Sequence, residues 1–347
     1  MHEPERSVLH VLPHPGGGGE TYVDLLSAMP GYRFDRTYLA TSAQPSPSEL
    51  GRGLLEAARR ARRHELLHVH GEVAGGLTLP LIATQPSVVT LHGLHLVRRV
   101  RGVRRAAATL NLRAILRAAN RTICVSETEH DELRRAVGAR AARKAVVIRN
   151  GVRPAPPRSE DERRVTRAEL GLSGSEPVAI WVGSLDDRKD PLTAIRAAER
   201  AGVALLVVGD GRLRIQVEQA ATERVQVLGQ RSDVGRLLAA ADLFLLTSGR
   251  EGLALSLLEA MAHGLAPIVT ELPENLEAIG DAGLTVPAGD VEALADALGR
   301  LARDESGLAL VGERARDRAS EHFDAHTTAT LTRGVYEKLL SSHLHAR

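Results

Sequence analysis

The stretch Ser248–Pro267, SGREGLALSLLEAMAHGLAP, decides the reading of this chain. Glu251 stands beside Gly252 on a predicted loop, and Glu259 follows eight positions later inside an apolar run that ends at Gly264. Between them Leu253, Leu255, Leu257 and Leu258 predict a short buried helix opening near Gly252, and Pro267 leads into the next strand. One carboxylate thus precedes a helix N-terminus and a second lies two turns inside. Eight residues of helix rise about 12 Å, whereas a retaining glycosidase holds its two carboxyls about 5 Å apart. The spacing therefore suits a grip on two separate sets of hydroxyls, not a nucleophile and an acid working on one bond.

Outward from this stretch the chain alternates short apolar runs with helical segments. The second half offers PVAIWVG (177–183), VALLVVG (203–209), RVQVLG (224–229), ADLFLLT (241–247) and APIVT (266–270), with helices opening near Pro191, Arg212, Asp233 and Gly252. The first half offers SVLHVL (7–12), ELLHVH (65–70), SVVTLH (87–92), RTICVS (121–126) and AVVIRN (145–150), with a helix from about Glu20. Strands without polar alternation are buried on both faces, and strand–helix alternation predicts parallel, doubly wound sheets. RPAPPRSEDERR (153–164) is rich in proline and charge and predicts a linker. The expected organisation is a Rossmann-like domain over 1–155, a linker over 156–164, a second such domain over 165–320, and a terminal helical segment over 321–347.

With 347 residues, 43% hydrophobic and 25% charged, the chain is globular and long enough for two domains. No apolar run reaches the length of a membrane span, and MHEPERSVLHVL lacks the form of a signal peptide. Cys124 is the one cysteine, in a predicted strand, so a buried structural thiol and a cytoplasmic setting are expected. The net charge of +2 hides an imbalance of +9 over residues 1–150 and −7 over the rest. Eight arginines and no acid lie between Arg98 and Arg121, with Val100, Val103 and Leu110 among them. This segment is either a solvated helical face or a peripheral contact for an anionic membrane at its inner face. Aromatic content of 2% argues against a nucleic-acid stacking platform.

Chemistry concentrates at the predicted strand ends, where open α/β sheets bind ligands. WVGSLDDRKDP (181–191) places Arg188 and Lys189 there, and Lys189 is one of three lysines against 42 arginines. An ammonium is a good point-charge partner for phosphate. Gly209 and Gly211 in VVGDGR predict a tight turn, and GQRSD (229–233) exposes Arg231 at another strand end. A helix opening after Gly252 turns its free N–H groups toward an anion. HVH at 68–70 has the spacing of a metal pair, yet no further ligands cluster nearby in sequence, and no Asp-x-Asp motif occurs.

Taken together, Glu251-x7-Glu259, GSLDDRKDP, VVGDG, LGQRSDV and GDAGLTVPAGDVEALADAL resemble the retaining family 4 glycosyltransferases of the GT-B fold. The resemblance covers most of the chain, most strongly from about Pro177 to Leu298. It implies two Rossmann-like domains facing a central cleft, the terminal helix crossing back to the first. It also implies metal-independent, retaining transfer of a sugar from a nucleotide diphosphate sugar, UDP-linked by family frequency, to an acceptor hydroxyl, with no cofactor. Residue by residue, Glu259 would hold the ribose hydroxyls, Glu251 would contact the transferred sugar, and Lys189 would neutralise the leaving diphosphate. Leu255 and Ser256 would offer backbone N–H groups, Gly183 and Gly209 would line the donor, and Arg231 would flank the base. Gly16, Gly17, Gly18 and Gly19 match the family's glycine-rich loop, and His92 a histidine that reaches the donor sugar. Where the family commonly has arginine, five positions before the lysine, this chain has Ser184, for which Arg188 is the candidate substitute. The alternative function is a non-catalytic sugar-nucleotide-binding protein.

Overall fold

The computed structural model describes residues 5–42, 45–172, 174 and 176–344. By its contacts the chain divides into two compact units, one formed by the chain up to Gly151 together with the segment from Ala325, the other by Val152–Asp324. In the first unit β1 (Arg6–Leu12), β2 (Tyr32–Tyr38), β3 (Leu66–His70), β4 (Ser87–Thr90), β5 (Arg121–Cys124) and β6 (Ala145–Val147) form one sheet. Their order is β2-β1-β3-β4-β5-β6, and every pairing is parallel. Leu9, Val11, Leu67, Val69 and Val89 pack on one face, while Val8, Leu66, Val88 and Ile123 pack on the other with Tyr22 and Tyr336. Tyr336 belongs to the terminal helix Ala325–Leu344, whose Thr328 hydroxyl donates to the Arg149 carbonyl at 2.8 Å. Cys124 is buried, and burial raises its thiol pKa far above the ordinary range.

The second unit repeats the plan with β7 (Val178–Val182), β8 (Ala204–Val208), β9 (Val225–Gly229), β10 (Leu243–Leu246), β11 (Ala266–Thr270) and β12 (Leu284–Val286). The order is β12-β11-β10-β7-β8-β9, again all parallel. Trp181, Leu205, Val207, Leu245 and Ile268 share a core with the helices Pro191–Ala201 and Val291–Arg303.

Several expectations are corrected. The supposed linker is partly helical. Glu160–Glu169 is a helix, capped by the Ser159 side chain, and its arginines lash it to Asp242 at the foot of β10. Arg163 Nη2 reaches Asp242 Oδ1 at 2.7 Å, and Arg158 from the preceding segment joins at 3.2 Å. Two of the supposed linker's charges, Arg158 and Arg163, belong to an ion-pair cluster, while Arg153, Glu160, Asp161, Glu162 and Arg164 are exposed. The terminal segment likewise breaks later than expected, between a helix ending at His322 and one beginning at Ala325. Two strands escaped notice. YRFDRTY in β2 is an edge strand of mixed polarity, and β12 is three residues long. The first helix starts at Gly18, within the glycine run, because Gly17 can take φ 79° and end the loop early. No helix among the described residues is long and apolar enough to cross a membrane.

Candidate functional site

In the second unit the chain leaves β7 toward β8 and β9, then returns to β10 on the other side of β7. The carboxyl ends of β7 and β10 therefore flank the point where winding reverses, the place where open α/β sheets take ligands. GSLDDRKDP follows β7 and SGREGL follows β10, and their functional side chains meet there. Lys189 Nζ donates to Glu251 Oε1 at 2.6 Å, and Arg188 Nη1 lies 3.8 Å from Glu251 Oε2. Lys189 and Glu251 are both buried. Burial pushes the Glu251 carboxyl upward, but the charges of Lys189 and Arg188 outweigh it and hold the group below its ordinary value. The loops are knitted together beneath this pair. The Thr247 hydroxyl accepts from Trp181 Nε1 at 3.1 Å and donates to the Asp190 carbonyl at 2.7 Å, and Gly249 N donates to the Arg188 carbonyl at 2.8 Å. Asp190, at φ 47°, caps the following helix through Thr193 N.

The helix carrying Glu259 spans Leu255–Ala262, three residues later than the sequence suggested. Gly252–Ala254 are not helical, so the 12 Å helical rise expected between Glu251 and Glu259 does not apply. Ala254 provides no side-chain cap, and the first internal bonds come from Leu257 and Leu258 to the Ala254 carbonyl. The Leu255 and Ser256 amides are left outside the helical ladder at its positive end. One turn further, the Glu259 carboxylate makes no hydrogen bond or ion pair with the described residues, and burial alone raises its pKa.

Gly183 and Gly209 are brought together at the ends of β7 and β8. A Cβ on Gly209, whose φ is 138°, would lie 1.8 Å from the Gly183 carbonyl oxygen. That requirement explains the glycine without invoking a ligand. Gly209→Ala is expected to destabilise the second unit by at least about 3 kcal/mol. The single tryptophan, Trp181, lies in β7, so urea titration followed by its fluorescence checks this. An unchanged midpoint would contradict the close approach. Ser184 is exposed. Arg231 is exposed after β9, where Asp233 grips it through two bonds of 2.8 and 2.7 Å, apart from the Lys189–Glu251 pair.

The remaining expected residues lie in the first unit. Gly16 and Gly17, at φ 83° and 79°, form the bend after β1, and a Cβ on either would meet nothing within 4 Å. Gly18 and Gly19 open the first helix. Gly16 N donates to Glu20 Oε2 at 2.7 Å, and Tyr38 donates to the other oxygen. His92 follows β4 at φ 59°, a left-handed value rare outside glycine. Two buried carboxylates hold its loop: Glu129 accepts from Gly93 N and from Val125 N, and Glu72 accepts from Leu96 N. Burial pushes each of them up to about 7.

Sequence reading missed what surrounds His92. His10 from β1 joins the pair His68 and His70, and one ligand nitrogen from each lies within 4.8 Å of the others. All of these rings' nitrogens except His10 Nε2 are engaged with protein partners. His68 bonds Tyr336 at 2.5 Å and Thr90 at 2.7 Å, His10 Nδ1 meets His70 Nε2 at 2.8 Å, and His70 Nδ1 meets His92 Nε2 at 2.9 Å. The missing signal was the β1–β3 register, which sets His10 opposite His68.

Burial lowers the pKa of His10, His68 and His70, and takes His92 to about 4. Below the ordinary histidine value of about 6.5 the unfolded chain takes up protons that this fold refuses. Each such histidine then costs about 1.4 kcal/mol per pH unit. Glu72 and Glu129 act oppositely, since between about 4.5 and 7 the fold keeps protons that the unfolded chain has lost. Four groups against two leave a net loss of stability as pH falls below about 6.5. Circular dichroism melts between pH 7.5 and 5 should show a transition that moves down in temperature ahead of the Trp181 signal. An acid-insensitive first transition would contradict the buried neutral cluster.

Two family comparisons bear on this geometry. The pattern for Glycosyltransferase Family 4 matches residues 10–155, and that for Glycosyl transferases group 1 matches residues 176–304. But for residues 152–155, the two patterns fall one in each compact unit. The N-acetyl-alpha-D-glucosaminyl L-malate synthase of Bacillus anthracis is 32% identical over 186 residues, 50% of this chain. The chain spans about half the length of that curated relative, 49%. Among solved structures, sucrose-phosphate synthase from Thermosynechococcus elongatus superposes with TM-score 0.81 at 22% identity, over 97% of this chain and all of that one. Anabaena Alr3699/HepE in complex with UDP and glucose gives 0.80 at 22% identity, over 95% of this chain and 99% of that one. These likenesses establish the GT-B fold for the two sheets. Within the second of these sheets, Lys189, Arg188 and Glu251 converge at the switch point between β7 and β10, and Leu255, Ser256 and Glu259 share the helix that follows β10.

Proposed function

We propose that this protein moves a sugar from a nucleotide diphosphate sugar to an acceptor hydroxyl with retention at the anomeric carbon and without a metal ion. The observation that carries the reading is Glu259. A largely buried carboxylate with no partner among the described residues, one turn inside a helix whose leading amides are uncapped, is suited to the hydroxyls of a ribose whose phosphates meet those amides. Lys189 and Arg188 supply positive charge beside it for a departing diphosphate. Lys189 turning to phosphate would release a Glu251 oxygen to accept from hydroxyls of the transferred sugar. In the first unit, His92 is the proposed hydrogen-bond donor to a sugar hydroxyl.

In the proposed step the acceptor oxygen attacks the anomeric carbon on the face that the diphosphate leaves. The sugar–phosphate C–O bond breaks, a new C–O bond forms, and the acceptor proton passes to a departing phosphate oxygen. UDP is the proposed nucleotide, supported by a protein of like fold solved with UDP and glucose. Ser184 in place of an arginine favours the second reading, a protein that binds sugar nucleotides without turnover. Calorimetry and product analysis with UDP-, GDP-, ADP- and CDP-sugars decide between them. Binding of one nucleotide with slow donor hydrolysis supports the transferase, binding with no hydrolysis or transfer supports the alternative, and no binding overturns both.

The proposed setting is cytoplasmic, with a peripheral contact on anionic membrane through the arginine-rich segment. The helix Gly102–Ala118 leaves Val103 86% and Leu110 67% exposed beside exposed Arg104, Arg105 and Arg113, a mixture that anionic lipid attracts. Co-sedimentation with phosphatidylglycerol vesicles, lost on adding salt, is the expected result. Equal binding to neutral vesicles would exclude the electrostatic contact.

A further inference from the structure

Three imidazoles of the cluster form a ladder. His10 Nδ1 meets His70 Nε2 at 2.8 Å, and His70 Nδ1 meets His92 Nε2 at 2.9 Å. Parallel strand pairing sets the rungs, since β1, β3 and β4 are neighbours. Tyr22 lies edge-on against His70 and His92, with ring centroids 5.8 and 5.2 Å away. At one end His10 is fully buried, and its Nε2 has no hydrogen-bond partner among the described residues. At the other end His92 is partly exposed, and its Nδ1 makes no bond to the described residues. His68 stands outside the ladder, both nitrogens held by Tyr336 and Thr90.

A neutral imidazole carries one N–H, and each nitrogen–nitrogen bond needs one proton. Three neutral rings and two such bonds admit only two arrangements. In one, all three rings are protonated on Nδ1, each donates toward His92, and the spare N–H emerges at His92 Nδ1. In the other, all three are protonated on Nε2, and the spare N–H is buried without an acceptor at His10. Arg36 on β2 is the register partner of His10, and its positive charge disfavours an N–H there over a lone pair. A buried unpaired donor is also the rarer defect in folded proteins.

We propose that His10, acting through His70, fixes the tautomer of His92 so that Nδ1 presents an N–H to the bound ligand. His10 and His70 are positioning residues, and the oxygen they prepare for is a sugar hydroxyl. Burial keeps the three rings neutral, with Arg36 opposing protonation of His10 and His70, and His95 opposing that of His92. His92 thus meets the ligand as a neutral donor of fixed orientation, and its left-handed backbone holds the ring at the end of the ladder. This inference rests on the sugar-transfer reading only for the identity of that ligand oxygen.

Long-range proton–nitrogen NMR of full-length protein labelled with 15N-histidine at pH 7.5 reads the tautomers directly. The signals are assigned through single replacements of each ring. The expected result is Nδ1–H at His10, His70 and His92 together, although Nε2–H is the form favoured in water. His10→Phe should allow His92 to populate Nε2–H and lower kcat/KM for the sugar donor about tenfold, the worth of one neutral hydrogen bond. His10→Asn, whose amide still donates toward His70, should restore both the tautomer and the rate to within about twofold. Nε2–H at His92 in the unaltered protein overturns the proposal even if the Phe variant fails to fold. An unchanged His92 signal in a folded His10→Phe variant does the same. A locked Nδ1–H ladder in a protein that binds no sugar nucleotide would overturn the transferase reading and leave the ladder standing.

Discussion

Replacing Lys189 by methionine should cost the second unit about 3–5 kcal/mol, the usual consequence of leaving a buried carboxylate without its counter-charge. Glu251 is buried, and Lys189 is the cation in direct contact with it at 2.6 Å, with Arg188 farther off at 3.8 Å. Sugar transfer should fall on the order of a thousandfold, since the charge that meets the leaving diphosphate is gone. A Lys189→Met, Glu251→Leu double replacement separates the two losses. Removing both charges should recover most of the stability, because buried pairs exchange for apolar groups at little cost. Transfer should stay lost. Urea midpoints from Trp181 fluorescence and a product assay read the two effects. A single variant as stable as the parent would mean that the pair is not buried as described.

Glu259→Gln should behave in the opposite way. The carboxylate has no partner to lose among the described residues, and burial raises its pKa. The folded value therefore exceeds the unfolded one, so whatever stability this group contributes is present below pH of about 4.5 and is lost as pH rises through the folded value. A permanently neutral amide avoids that loss, and the melting temperature at pH 7 should hold or rise. Nucleotide affinity should drop roughly 10- to 150-fold, the range for losing charge-assisted hydrogen bonds. Calorimetry with UDP beside a thermal melt reads both changes. Undiminished affinity would remove Glu259 from the donor site.

The parts of this protein that declared themselves in sequence are those with local signals. Runs such as VALLVVG are apolar throughout, so β8 and its double-sided burial follow from composition alone. Glu251, Glu259 and Lys189 stand in short motifs whose order along the chain carried their meaning. The residues that went unnoticed depend on partners far away. His10 gains its significance from the register that brings β1 against β3. Thr247 is an ordinary strand-end threonine until Trp181 and the Asp190 carbonyl arrive on either side of its hydroxyl. Polarity misled twice. Arg158 and Arg163 were read as part of a linker because Asp242, which gathers them, is about 80 residues later. β2 escaped notice because an edge strand keeps water on part of its surface. The helix after Glu251 was placed too early because its leucines begin before its hydrogen bonds do.

The terminal helix has a consequence for how the chain is made. Tyr336 closes over His68, 268 residues earlier, and Thr332 faces the hydroxyl of Tyr22. During translation at about 5–20 residues per second, the strands of the first sheet wait roughly 15–50 s for these side chains. Val152–Asp324 has all of its own strands before then. The first unit to emerge is therefore the last to be completed, and its histidine-lined face stays uncovered by Tyr336 throughout that interval. A nascent chain stalled before Ala325 should present that face to chaperones, while Trp181 already reports a folded second unit.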